Sequence, residues 1–172
     1  MTPIEGNTMD VSDTAIKPEG EAELDGEVRS SKDYFLQVLL DVSLGRSDDY
    51  TEGRIGITVN LKGLIVSGTA VSRRVWSERL TNLIRGAGEA DPTNADAAAE
   101  TLNSVFTAAF DDADADNRAR EEAGLFAQPR GFLHLIDVRV SNPEGPCNFP
   151  IWRAPMDDIS GWTLGTHNPA DS

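Results

Sequence analysis

The sequence predicts an α+β fold: one small, strongly bent antiparallel sheet with helices packed on it and a helical insertion between its strands. Three observations carry this expectation. Residues 55–71, IGITVNLKGLIVSGTAV, alternate apolar and polar positions with many β-branched side chains, and Gly63 breaks the run as a turn would. A similar run returns at 132–140, FLHLIDVRV, with Phe132, Ile136, Val138 and Val140 expected on one face. Between the two runs lie apolar stripes at helical spacing, so the sheet is split by a long insertion.

A chain of 172 residues is long enough for one domain with a real core. Its hydrophobic content, 39%, is low, so part of it is expected to lie outside that core. The formal net charge is -14 and the pI is near 4.4. Such a chain is repelled by phosphate backbones and anionic lipid surfaces, so neither nucleic acid nor membrane is expected as a partner. The single cysteine, Cys147, excludes an internal disulfide framework and suits a reducing compartment. No basic-then-apolar leader and no apolar run of membrane-spanning length is visible, and a cytoplasmic protein is expected.

Residues 1–30 read as a disordered acidic tail. Acidic side chains from Glu5 to Glu27 are offset only by Lys17 and Arg29, and large apolar residues are few and aperiodic. A single domain is expected over 31–166, with 167–172 frayed. Ser31 is a candidate N-cap for a short amphipathic helix carrying Phe35, Leu36, Leu39, Leu40 and Val42, which Gly45 stops. The sheet nucleus follows, then Ser72 as a second cap candidate.

The insertion is expected over 73–125. Trp76, Leu80, Leu83 and Ile84 form its first stripe, flanked by Arg73, Arg74, Arg79 and Arg85. Those arginines read as a solvated face balanced by acidic surroundings rather than as an anion site. A second helix starts at Pro92 after Asp91 and carries Leu102, Val105, Phe106, Ala109 and Phe110. Asp112, Asp114 and Asp116 imitate the start of a calcium loop. Asn117 stands where its glycine belongs and Ala123 where its glutamate belongs, so an acidic, solvated hinge between helices is expected instead.

After the returning strand, residues 141–150, SNPEGPCNFP, read as a loop. Ile151 to Arg153 and Gly161 to Gly165 read as two last short strands joined at Asp157 and Asp158, with Trp152 and Trp162 as sheet-packing aromatics. Chemistry is sparse. His134 shares a face with Phe132 and Ile136 and is expected as a packed, hydrogen-bonded histidine; His167 has no evident orienting partner. No nucleophile elbow, metal-ligand set or phosphate-cradling loop is present, so no catalytic residue, cofactor or metal site is assigned.

The segments DYFLQVLLD, GITVNLKGLIVSGTAVS, FLHLIDVRV and WRAPMDDISGWTLG, in that order, resemble the gas vesicle accessory protein GvpU family. The resemblance implies a non-enzymatic protein that assists formation or clustering of gas vesicles, with vesicle shell or accessory proteins, or its own copies, as partners. The helix and strand pair also resemble an Sm-like or SH3-like barrel, a likeness of topology. Two alternatives stand beside this reading. One is an Sm-like RNA-binding domain, which the charge opposes. The other is a small hydrolase or ligand-binding domain using His134 with Asp137, which a regular strand would put on opposite faces. An open strand edge in the weakly charged sheet nucleus, with Trp152 and Trp162 as anchors, is the expected means of association.

Overall fold

The structure, a computed structural model, describes residues 33–46, 52–87 and 92–166. The acidic segment 1–30, Ser31, Asp91, His167 and the closing residues 167–172 lie outside the described residues. Helix α1 (Tyr34–Leu44) leads to β1 (Arg54–Leu61) and β2 (Leu64–Val71). Helices α2 (Arg73–Ala87) and α3 (Pro92–Glu122) follow, then β3 (Phe132–Ser141), β4 (Cys147–Pro155), a 3-10 turn (Met156–Asp158) and β5 (Ile159–Leu164).

The strands form one antiparallel sheet in the order β4-β3-β2-β1-β5. Lys62 and Gly63, both at positive φ, make the tight turn between β1 and β2. The expected Sm-like or SH3-like barrel is not borne out: β4 and β5 form the two edges, and the sheet does not close. The sheet nucleus is not an edge either, since β1 and β2 both lie between other strands.

Helix α1 covers one face. Leu36, Leu40 and Leu44 recur at helical spacing and are fully or almost fully buried against Ile57, Val59, Val66, Leu133 and Leu135. Burying each such side chain stabilises the fold by roughly 1.5–3 kcal/mol. The cap of α1 is Asp33 rather than Ser31, its Oδ1 accepting the Leu36 N–H at 3.0 Å. Ser72 caps α2 as expected, its hydroxyl accepting the Val75 N–H at 3.3 Å.

The opposite face receives α2. Trp76 lies 5.3 Å from His134, centroid to centroid, and its indole N–H donates to the Trp152 carbonyl at 3.0 Å. Helix α3 pairs with α2, Phe106 meeting the Trp76 ring edge-on at 6.4 Å. Arg74 bonds Asp111 at 2.9 Å and Asp114 at 2.8 Å, and Arg73 bonds Asp114 as well. The aspartate-rich stretch is therefore no hinge: it runs inside one 31-residue helix and clamps the hairpin.

Strand β3 departs from simple alternation. Leu133 and Leu135 are buried on the α1 side, and then Val138 and Val140 are, a change of phase by one residue. The switch sits at Asp137, whose φ is 52°, opposite the register shift at Gly68 of β2. A Cβ at Gly68 would lie 3.1 Å from both the Ile136 carbonyl and Val138 Cγ2, so glycine lets the bulge form there without displacing its neighbours. Phe132 and Ile136 thus face away from Val138 and Val140, contrary to the one-face expectation.

Candidate functional site

The two sheet edges and the pocket around His134 are among the places where a partner can meet the described residues. On β5 the Gly165 N–H donates to the Gly56 carbonyl at 2.8 Å. Antiparallel strands alternate inward and outward backbone groups, and Thr58 pairs with Thr163 and Asn60 with Gly161. Thr163 and Gly161 therefore turn their backbone groups towards β1, while Trp162 and Leu164 present theirs to the open side. Residues 159–164 contain no charge and no proline, the usual guards of an edge. Leu164 is 57% exposed.

On β4 the Met156 N–H donates to the Gly131 carbonyl at 3.0 Å, which by the same alternation turns Phe149, Ile151 and Arg153 outward. Pro150 falls at an inward position opposite Asp137, where the ladder skips a pair because proline has no N–H. This edge is guarded by the charge of Arg153 and by Pro155 at its end.

The predicted anchors sit one on each edge strand. Trp152 is half-buried on β4, its ring 5.2 Å from that of Phe149. Trp162 is half-buried on β5 and packs on the core, its indole N–H donating to Asp33 Oδ2 at 2.5 Å. Topology brings these edges to light, because only the strand order shows which strands lack an outer neighbour among the described residues.

His134 lies on the α2 face, packed on Trp76. Burial, with Arg153, Arg130 and Arg73 nearby, pushes its pKa down to about 3, so the ring is neutral at physiological pH. Its ring makes no hydrogen bond to another described residue. Asp137 does not join it. The bulge does bring Asp137 to the α2 side, but its carboxylate lies 3.9 Å from Arg79 instead. A base without an orienting carboxylate or an adjacent nucleophile is no catalytic set.

The arginines around His134 come from four separate places: Arg46 after α1, Arg73 on α2, Arg130 before β3 and Arg153 on β4. They line one pocket of about 500 Å³. Sequence reading singled out Arg73 alone of the four, because no local pattern links them and only tertiary placement brings them together. Among the described residues there is no group of three or more His, Cys, Asp or Glu side chains placed to hold a metal ion. Nor is any described helix long and apolar enough to cross a membrane.

A family model described as gas vesicle protein GvpU-like matches residues 33–167. No curated protein and no solved structure matches the chain.

Proposed function

We propose that this chain, which belongs to the gas vesicle protein GvpU-like family, acts without catalysis as an accessory protein. On this reading it assists the formation or clustering of gas vesicles through protein–protein contacts. The observation that carries the mechanism is the open sheet, with β5 at one edge lacking any charged or proline guard. An unpaired strand edge accepts another chain by continuing its ladder, with neighbouring side chains adding specificity. Trp162 on β5 and Trp152 on β4 are the proposed flanking anchors, tryptophan being over-represented where interface energy concentrates.

The partner is a vesicle shell or accessory protein, or a second copy of this chain, and the setting is the cytoplasm at the vesicle surface. Nucleic acid is not among the proposed partners, because a net charge of -14 opposes the counterion release that drives such binding. No observation favours the Sm-like RNA-binding alternative. Nor does any favour catalysis by His134 with Asp137, whose carboxylate lies by Arg79 instead.

The test is a pull-down from a lysate of gas-vesicle-producing cells, together with vesicle counts in cells lacking the protein. Recovery of a shell or accessory protein, with altered vesicle number or clustering in the deletion, is the expected result. Unchanged vesicles and no recovered vesicle component would overturn the reading.

A further inference from the structure

We propose that the pocket around His134 is an oxyanion site, taking a carboxylate or phosphate group on guanidinium donors. Four arginines converge there in a chain whose acidic residues outnumber its basic ones by 29 to 15. Two of them are already partly neutralised. Arg130 Nε donates to Asp41 at 3.2 Å and its terminal nitrogen to the Gly45 carbonyl, which fixes a guanidinium with only 7% of its side chain exposed. Arg73 bonds Asp114 and the Phe110 carbonyl, yet its Nε is buried with no hydrogen-bond partner. A buried donor left unmade costs free energy, and an oxyanion satisfies it once the Arg73 side chain turns towards the pocket that it lines.

The other two are Arg153 and Arg46. Arg153 lies over the Phe132 ring, 3.5 Å from its centroid, which orients a planar donor without neutralising it. Neither Arg153 nor Arg46 has a carboxylate within salt-bridge distance among the described residues, and both are exposed at the rim. Asp116 also lines the pocket, so its field is mixed there. Burial is the chief cause of the imidazole's lowered pKa, and the fields of Arg153, Arg130 and Arg73 add to it. A neutral ring can then donate one hydrogen bond to the bound group. A cavity of about 500 Å³ suits a small ligand or a few side chains of a peptide.

The oxyanion has two possible sources: a free small anion, or the chain's own acidic segment, rich in Glu and Asp from Glu19 to Glu27. The test follows the arginine side-chain N–H signals by NMR while inorganic phosphate is added to the full-length protein at constant ionic strength. Saturable shifts of the Arg73 and Arg153 signals are expected. Arg153→Gln and Arg46→Gln should each weaken binding, Arg153→Gln by about tenfold as one charge-assisted pair is lost. Arg85→Gln, at the far end of α2, should leave binding unchanged. A second protein carries Gln or Asn at Glu19, Glu21, Glu23, Asp25 and Glu27. If the acidic segment normally fills the pocket, this protein binds phosphate several-fold more tightly than the native one; if a free anion fills it, the two bind alike. No saturable shift in either protein, or native affinity in both Arg153→Gln and Arg46→Gln, would overturn the proposal. Should Arg153→Gln fail to fold, the rim substitution Arg46→Gln decides.

Discussion

Asp33 holds both ends of one contact between α1 and the edge strand. Its Oδ1 accepts the Leu36 N–H at 3.0 Å and caps the helix, while its Oδ2 accepts the Trp162 indole N–H at 2.5 Å. One carboxylate thus starts the helix that covers the core and positions the tryptophan of β5. Asp33→Ala removes a cap and a charge-assisted bond together, with an expected cost of about 2 kcal/mol or more. Asp33→Asn keeps an acceptor and should cost clearly less. Urea melts of the two variants check this, and equal midpoints would contradict it.

Gly68 is expected to be intolerant for a reason of space. Its missing Cβ leaves room for the Ile136 carbonyl and Val138 Cγ2, each 3.1 Å from where that atom would be. Gly68→Ala should destabilise by about 1–3 kcal/mol as the bulge is forced open. Gly86→Ala is the contrast, since nothing lies within 4 Å of that site on α2, and it should be neutral or stabilising by up to ~1 kcal/mol. Thermal melts of both proteins decide.

His134 makes stability depend on pH with a defined sign. Its folded pKa, about 3, lies below the ordinary 6.5, so the unfolded chain binds the extra proton first. Its contribution to stability is complete above pH 6.5 and is lost progressively as pH falls towards 3. At pH 5 the loss would be about 2 kcal/mol for this group alone. His134→Gln should flatten the difference in stability between pH 7 and pH 5 measured by urea unfolding. An unaltered difference would show that the histidine is not the titrating group.

Asp114 carries the clamp of the helical hairpin, and Asp112 two residues earlier does not. Asp114 receives Arg73 and Arg74, with side-chain exposures of 16% and 35% against its own 19%. Asp114→Ala should cost about 1–3 kcal/mol, because Arg73 is then left half-buried with little to pair it. Asp112→Ala, at an exposed position, should fall within about 0.5 kcal/mol of the parent. Comparable losses in the two proteins would contradict the clamp.

The sequence made the alternation of β1 and β2 and the leucine stripe of α1 legible, because period two and period 3.6 are written in neighbouring residues. It also made the α2 cap legible at Ser72. The face assignment on β3 was not, since one left-handed residue, Asp137, shifts every later side chain by a face. Strand β4 was half hidden: Cys147 to Pro150 look like a loop by composition, yet they pair with β3. The aspartates of α3 looked like a hinge because their partners, Arg73 and Arg74, lie on another helix. The arginine pocket depends wholly on tertiary placement, and so do the two edges.

The central claim, association through the open edge, is tested most directly at Leu164. Its backbone N–H faces the open side of β5, so proline there removes an outward donor and spares the ladder to β1. The measurement is co-flotation of the protein with purified gas vesicles, alongside light scattering of the protein alone. The native protein is expected to float with the vesicles or to scatter as more than a monomer. Leu164→Pro, with an unchanged melting curve, is expected to lose that association. A native protein that is strictly monomeric and stays below the vesicles, or a folded Leu164→Pro variant that associates as the native one does, would contradict the account.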